Sequence, residues 1–175
     1  MTADPARDGG VDRAIADVEE QFRQIFAGAQ AGLREHAVRI HPHLQPAGYK
    51  VVDLLVRSGP LHAGEVAELL AADKSMISRT VKQLEELQLV TRRLDPHDGR
   101  AWFLEVSPET RRRVEKLAAT DQQVLYERMR GWTTGQVLQL AELLAKLNET
   151  FPVPSSRHRS ASPTLDLSEM PSGSS

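Results

Sequence analysis

One stretch of the chain decides its fold: residues 73–90 read DKSMISRTVKQLEELQLV, and residues 92–101 read RRLDPHDGRA. Ile77, Val81 and Leu84 recur at three- and four-residue steps, which is the spacing of one buried face of a helix. Within the second segment, residues 95–99 are dense in turn formers and lie between two strand-like runs, 89–94 and 101–106. The sequence therefore predicts a helix that is followed directly by a β-hairpin.

Helical patterns also precede and follow this unit. They predict a long helix ending near His41-Pro42, a second from Pro46, a short one over Ala63–Leu70, and two after the hairpin that start at Ser107-Pro108 and at Thr133 or Thr134. The predicted fold is mainly α with a small β-hairpin, in the order of a winged helix-turn-helix. In that module the second helix of the motif, here over residues 74–88, enters the DNA major groove, and the hairpin, or wing, lies beside it.

We expect five regions along the chain. A flexible arm covers residues 1–12, the region of an N-terminal dimerisation helix covers 13–45, the winged helix-turn-helix covers 46–106, C-terminal dimerisation helices cover 107–151, and a disordered tail covers 152–175. The tail is rich in Pro and Ser, and it cannot bury enough apolar surface to offset the entropy of ordering.

Composition and motifs exclude several classes of function. The chain has 175 residues, a net charge of −2 and no cysteine, so disulfide scaffolds, Cys-based zinc sites and thiol catalysis are excluded. It contains no Gly-rich phosphate loop, nucleophile elbow, HExxH or paired catalytic carboxylates, and we expect neither an enzyme nor a cofactor. No apolar run reaches the roughly 18 residues of a membrane span, and the first twelve residues lack the apolar core of a signal peptide. We therefore expect a cytoplasmic protein that does not engage a membrane.

The outward face of the predicted recognition helix carries candidate DNA contacts. With the apolar positions inward, Ser75, Met76, Ser78, Arg79 and Lys82 point outward. Hydroxyl groups reach phosphates and base edges, arginine binds guanine O6 and N7 with both arms, and a methionine fits a thymine methyl. The alternative interpretation is an ordinary solvated helix face.

The hairpin adds a second set of cations. Arg92, Arg93 and Arg100 flank its polar turn, and an arginine near the tip suits the narrow minor groove, where the negative potential is enhanced. Asp98 is placed to pair with an arginine and hold the wing in shape. Between residues 74 and 100, six basic residues stand against four acidic ones, which permits phosphate contact. The alternative is a hairpin with a surface ion pair.

These residues resemble the MarR (multiple antibiotic resistance regulator) family of transcription regulators. In that family a D-x-S-x-[VI]-[ST]-R helix leads through L-x-x-x-G-L-V to an R-x-x-D-P-x-D-x-R wing, and this chain departs at Gln88, where the family usually has glycine. The resemblance covers roughly residues 12–149. It implies that the outward residues of the recognition helix face the major groove and that Arg100, with Asp98 bracing the wing, enters the minor groove. Arg92 and Arg93 would serve phosphates or the ion pairs of the wing.

Apolar stripes at both ends of the chain predict a homodimer. They consist of Val18, Phe22 and Ile25 near the N-terminus, and of Val137, Leu140, Leu143, Leu144, Leu147 and Phe151 near the C-terminus. These stripes are too long for a small winged helix to cover alone, whereas a two-fold dimer would bury them. A dimer also sets two recognition helices about one turn of double-stranded DNA apart, so its operator is a near-palindrome. The alternative is packing within one chain.

The expected function is a homodimeric, sequence-specific DNA-binding transcription regulator, a repressor whose operator binding is relieved by a small-molecule effector. In related proteins effectors bind near the cleft between the dimer and DNA-binding regions, where this chain has His36, Arg39, His41, His43 and Tyr49. We expect no metal there, because the spacing is irregular and no companion carboxylate is evident. The alternatives are a sequence-neutral architectural DNA binder and a winged-helix protein-interaction module.

Overall fold

The computed structural model describes residues 5–150, with the side chains of residues 10–149. It contains helices α1 (Pro5–Ile40), α2 (Pro46–Ser58), α3 (Ala63–Leu69), α4 (Lys74–Glu86), α5 (Pro108–Met129) and α6 (Thr134–Thr150), and strands β1 (Leu61–His62), β2 (Val90–Leu94) and β3 (Trp102–Val106). The mainly helical winged-helix fold predicted from the sequence is confirmed. Phe151 and the predicted tail over residues 152–175 lie outside the described residues.

Helix α1 begins earlier than predicted. We expected a flexible arm over residues 1–12, but residues 5–12 are helical. Pro5 stands at the first helical position, where its missing N–H has no partner to lose. Val11 lies four residues, about one helical turn, before Ile15, and it extends the apolar stripe of the helix toward the N-terminus.

The sheet has three strands where the sequence predicted two. Its order is β1-β3-β2 with antiparallel pairing throughout, and Leu61 and His62 of β1 pair with Leu104 and Phe103 of β3. A two-residue strand is too short to show an alternating pattern, so the sequence carried no signal for it. This strand attaches the start of α3 to the hairpin.

The core lies beneath the helix-turn-helix. Ile77, Val81 and Leu84 of α4 are buried, as their spacing predicts. They pack in one cluster with the buried side chains of α2, α3, the sheet and the first half of α5, among them Val51, Val52, Leu55, Val66, Leu104, Val106, Val114 and Leu117. Helix α4 is therefore held in place by packing against α2, α3 and β2.

The apolar residues toward the two ends of the described chain remain exposed. Val18 and Ile25 on α1 and Leu143 and Leu144 on α6 are each more than 40% exposed, and Leu147 is 38% exposed. Phe22, Val137 and Leu140 are half-buried. We call this set of α1 and α6 residues the terminal-helix surface. Among the described residues, packing within one chain leaves most of it uncovered.

Among residues 5–150, no helix combines the length and the apolar character that a membrane crossing requires.

Candidate nucleic-acid interface

Helices α3 and α4 form a helix-turn-helix around residues 70–73. Ala71 in the turn has a left-handed backbone with φ 47°. Asp73 caps α4 by accepting hydrogen bonds from the backbone N–H of Ser75 at 2.7 Å and of Met76 at 3.3 Å. Hydrogen bonds from the Ser75 side chain and from these two backbone groups hold the pKa of Asp73 below its ordinary value. The first turn of α4 is therefore fixed by an ionised cap.

The outward face of α4 has the composition that the periodicity predicts. Ser75, Met76, Ser78, Arg79 and Lys82 are all exposed, and Met76 is 40% exposed. Arg79 Nε donates to the carbonyl oxygen of Ser75 at 3.4 Å, which keeps its guanidinium beside the first turn. This face presents hydroxyls, an apolar side chain and cations to solvent within three helical turns.

Two of the three wing arginines are engaged in ion pairs. Arg92 donates through Nε to Glu85 Oε1 at 2.6 Å and through Nη2 to Glu85 Oε2 at 3.1 Å, so it joins β2 to α4 with two parallel hydrogen bonds. Arg93 Nε donates to Glu105 Oε2 at 3.3 Å, and its guanidinium lies 5.5 Å from the centre of the Phe103 ring. The resemblance implied that Arg92 and Arg93 serve either phosphates or the ion pairs of the wing, and both residues form ion pairs in the structure.

Arg100 stands at the tip of the wing. Its guanidinium forms no ion pair with any side chain among residues 10–149, whereas Arg92 and Arg93 each have one. Asp98 was expected to pair with an arginine, but its Oδ1 accepts from the backbone N–H of Arg100 at 3.0 Å. The reason is local, because an aspartate in a turn readily bonds the N–H two residues on. Asp98 therefore braces the wing through the backbone.

Two aromatic residues of β3 have different surroundings. The Phe103 ring stacks on His62 with ring centres 4.2 Å apart. Trp102 is 48% exposed and pairs across the hairpin with Leu94, which is 46% exposed. The wing thus has one aromatic side chain that packs and one that is available to a partner.

A second candidate site is a cleft of about 640 Å³ between α1, α2 and α5. His36, Arg39 and Tyr49 line it, as do Asp53 and Asp121. His36 Nε2 lies 3.3 Å from Asp121 Oδ1, and the rings of His36 and Tyr49 are 5.4 Å apart. Burial, and then the charges of Asp53 and Asp121, raise the pKa of Tyr49 to about 12. The phenol is therefore neutral and retains a proton to donate.

His41 and His43 lie outside this cleft. Helix α1 ends at Ile40, so both histidines fall in the connection to α2, where the His43 N–H donates to His41 Nδ1 at 3.2 Å. The carbonyl oxygen of His43 also accepts from Gln83 Nε2 of α4 at 3.3 Å. These bonds give the two histidines a structural role. Within the described residues, no cluster of three or more His, Asp or Glu side chains is arranged to hold a metal ion.

Sequence reasoning missed the carboxylates that line the cleft, which are Glu35, Asp53 and Asp121. Asp121 was visible as the one polar residue in the apolar stripe of α5, and that break was the available signal. Asp53 gave no signal, because a carboxylate at its position on α2 is what any solvated helix face carries.

A helix-turn-helix joined to an antiparallel wing defines the winged helix-turn-helix class. Residues 44–101 match the family model described as MarR family. The chain is 30% identical over 113 residues to the uncharacterized HTH-type transcriptional regulator YxaD of Bacillus subtilis (strain 168), an alignment that covers 62% of this chain and 76% of that protein. The chain belongs to the MarR family of transcriptional regulators, and the resemblance drawn from residues 73–101 is confirmed.

Two further similarities extend beyond the winged helix. The chain is 24% identical over 136 residues to the HTH-type transcriptional repressor MdtR of Bacillus subtilis (strain 168), covering 78% of this chain and 86% of that protein. It is also similar in structure to Streptococcus pneumoniae FabT, solved in complex with DNA, with a TM-score of 0.67 at 13% identity over 78% of this chain and 96% of that chain. At 13% identity, the similarity to FabT concerns the fold alone.

Proposed function

We propose that the protein is a homodimeric repressor that binds a near-palindromic operator in double-stranded DNA, with α4 in the major groove and the wing tip in the adjacent minor groove. The observation that carries the proposal is the distribution of ion pairs. Arg92 and Arg93 are neutralised by Glu85 and Glu105, whereas Arg100 at the wing tip has no acidic partner among residues 10–149. A cation that no acid among the described residues neutralises is available to phosphate.

The outward residues of α4 divide into two roles. Arg79 reads base edges, because its fork of donors matches the two acceptors of guanine, and Met76 contacts a thymine methyl. Ser75, Ser78 and Lys82 bind phosphates or sugars and set the position of the helix on the duplex. Arg92 and Arg93 support this surface by holding the wing in place.

The terminal-helix surface is the proposed dimer interface. Its exposed leucine, isoleucine and valine side chains form stripes on two helices, a pattern that marks a missing partner helix. Two-fold pairing would bury these stripes against their copies and place two α4 helices on one face of DNA. Two relatives support repression and DNA binding. MdtR is described as a transcriptional repressor, and FabT was solved in complex with DNA.

The cleft between α1, α2 and α5 is the proposed effector site. It lies between α1, which carries part of the terminal-helix surface, α5, and α2 of the DNA-binding unit, so a molecule bound there can change the angle between these helices. The volume of about 640 Å³ suits a small molecule. The phenol of Tyr49 and the side chains of His36 and Arg39 provide hydrogen-bond donors for it.

The experiment that tests the proposal is selection of bound duplexes from a random library, followed by fluorescence anisotropy on the selected site. We expect a near-palindromic consensus. Binding without an enriched sequence would favour an architectural DNA binder, and no binding to any duplex would favour a protein-interaction module. Either result would refute the proposal.

Dimerisation is tested separately by sedimentation equilibrium. Ile25→Glu places a charge in the α1 stripe and should shift the protein to monomer, because a buried unpaired charge is costly. Val38→Glu is the matched control, since Val38 is also exposed (60%) but lies on the opposite side of α1 from the stripe. A dimer that survives Ile25→Glu, or one that both variants disrupt equally, would contradict the proposed interface.

A further inference from the structure

His62 joins three parts of the DNA-binding unit. It closes β1 and precedes α3, where its backbone N–H donates to the Glu65 carboxylate at 2.8 Å. Its ring stacks on Phe103 of β3. Ring atom Nδ1 lies 3.1 Å from the carbonyl oxygen of Trp102, and Nε2 lies 3.2 Å from Asp95 Oδ2.

The two wing residues that His62 contacts stand at the base of the tip loop. Asp95 follows the last residue of β2, and Trp102 is the first residue of β3. Between them the backbone N–H of Asp95 donates to the carbonyl oxygen of Ala101 at 2.9 Å, which closes the loop that carries Arg100. A single imidazole ring therefore contacts both sides of the loop from the α3 end of the sheet.

Both ring nitrogens of His62 face oxygens that only accept hydrogen bonds. The carbonyl oxygen of Trp102 has no proton to give. Asp95 is ionised, because the backbone N–H of His97, which donates to it at 2.8 Å, lowers the pKa of this carboxyl against the opposing effect of burial. A neutral imidazole has one N–H and satisfies one of the two acceptors, whereas the imidazolium satisfies both.

We propose that protonated His62 is the positioning residue that fixes the wing tip, and with it Arg100, for contact with DNA. This inference rests on the proposed role of Arg100. Loss of the proton leaves Asp95 or the Trp102 carbonyl without its donor and frees one side of the loop. Operator affinity should then be lower when the His62 ring is neutral than when it carries the second proton.

Other charged groups near the ring do not replace this contact. Glu65 on α3 is engaged by the backbone N–H of His62, and His97 in the tip loop bonds Asp95 through its backbone N–H. Arg93 on β2 lies over the Phe103 ring and is paired with Glu105. The cation that contacts both Asp95 and Trp102 is thus His62 itself.

The test compares operator affinity in acidic and in alkaline buffer for the wild type, His62→Gln and His97→Gln. Glutamine at position 62 retains a donor for one acceptor but carries no charge. We expect His62→Gln to bind roughly two- to five-fold more weakly in acidic buffer, the range that a partly exposed ion pair supports, and to lose the pH dependence specific to residue 62. His97→Gln, which removes a neighbouring wing histidine, should retain that dependence. Asp95→Asn should weaken binding similarly, and the double variant Asp95→Asn/His62→Gln should be no weaker than either single one.

Two results separate this inference from the proposed function. If the wild type binds no selected duplex, the proposed function fails. If the wild type binds and His62→Gln matches it in affinity and pH profile, only the positioning role fails. Thermal melts identify a variant that does not fold. If His62→Gln does not fold, the ring ¹⁵N chemical shifts of His62 in the free wild-type protein report whether one or both ring nitrogens carry a proton. Protonation of both ring nitrogens at the pH of tightest binding supports the inference, and a single protonated nitrogen there overturns it.

Discussion

Replacing Arg100 with alanine tests the wing directly. The side chain is exposed and has no ion-pair partner among the described residues, so its removal uncovers no buried acid. The hydrogen bond that holds the loop, from the backbone N–H of Arg100 to Asp98 Oδ1, does not depend on the guanidinium and persists in the variant. Arg100→Ala should therefore weaken DNA binding without lowering the thermal midpoint of unfolding.

The expected magnitude follows from the two-fold symmetry of the proposed complex. An arginine that binds a guanine with both arms is worth about 1–3 kcal/mol, and we take the lower end for the minor-groove contact of Arg100. A homodimer brings two copies of Arg100 to the duplex, so the lower end of that range gives about 2 kcal/mol in all. Since about 1.4 kcal/mol corresponds to a tenfold change, operator affinity should fall roughly thirtyfold.

The assay is anisotropy of the labelled selected duplex at fixed salt concentration. Arg93→Ala is the matched control, because it also removes one positive charge from the wing but takes it from an ion pair with Glu105. Its effect should be well below that of Arg100→Ala. An Arg100→Ala variant that binds within about twofold of the wild type, or a control that loses as much affinity, would refute the reasoning.

Three further predictions concern stability. Gln88 has a left-handed backbone with φ 58°, a conformation that costs a side chain about 1–2 kcal/mol, so Gln88→Gly should raise the urea midpoint despite the extra chain entropy of glycine; a lower midpoint would contradict this. Burial raises the pKa of Tyr49 from 10 to about 12, so the folded state keeps the phenolic proton at a pH at which the unfolded state has lost it. The stability of the wild type should therefore fall relative to that of Tyr49→Phe as the pH rises above 10. Parallel curves of stability against pH would show that the pKa of the phenol is not raised. The pH dependence of stability due to Asp73 has the opposite sign. The pKa of this carboxyl lies below 3.8 in the folded state, so its stabilising effect is present above that pH and is lost as the pH falls through the lower folded value. Urea unfolding in acid should therefore show the wild type losing stability relative to Asp73→Asn. An unchanged difference between these two proteins in acid would contradict the capping role.

The features predicted correctly from the sequence are those decided by local chemistry. The buried stripe of Ile77, Val81 and Leu84 follows from helical spacing alone, and the wing turn follows from its Asp, Pro and Gly residues. Gln88 was identified as a departure from a glycine position, and the structure places it in the left-handed region. Each of these signals lies within a few residues of the feature that it predicts.

Of the features that were missed, the Arg92–Glu85 pair and the cleft depend on contacts between distant residues, whereas the Asp98 contact depends on a local competition. The Arg92–Glu85 pair links a strand to a helix, and no spacing rule distinguishes it from a phosphate contact. The expected partner of Asp98 was an arginine side chain, but a backbone N–H two residues away competes successfully for the carboxylate. The predicted cleft included His41 and His43 because they are near in sequence, whereas packing of α1 against α2 and α5 brings in Asp53 and Asp121 instead.

The paired hydrogen bonds between Arg92 and Glu85 join α4 and the wing. Neither part can tilt alone without breaking both bonds. In the proposed dimer, a hinge motion between the subunits would therefore displace the proposed major-groove and minor-groove contacts together. Release from DNA would then be abrupt, with few states in which one groove is still occupied and the other has been vacated.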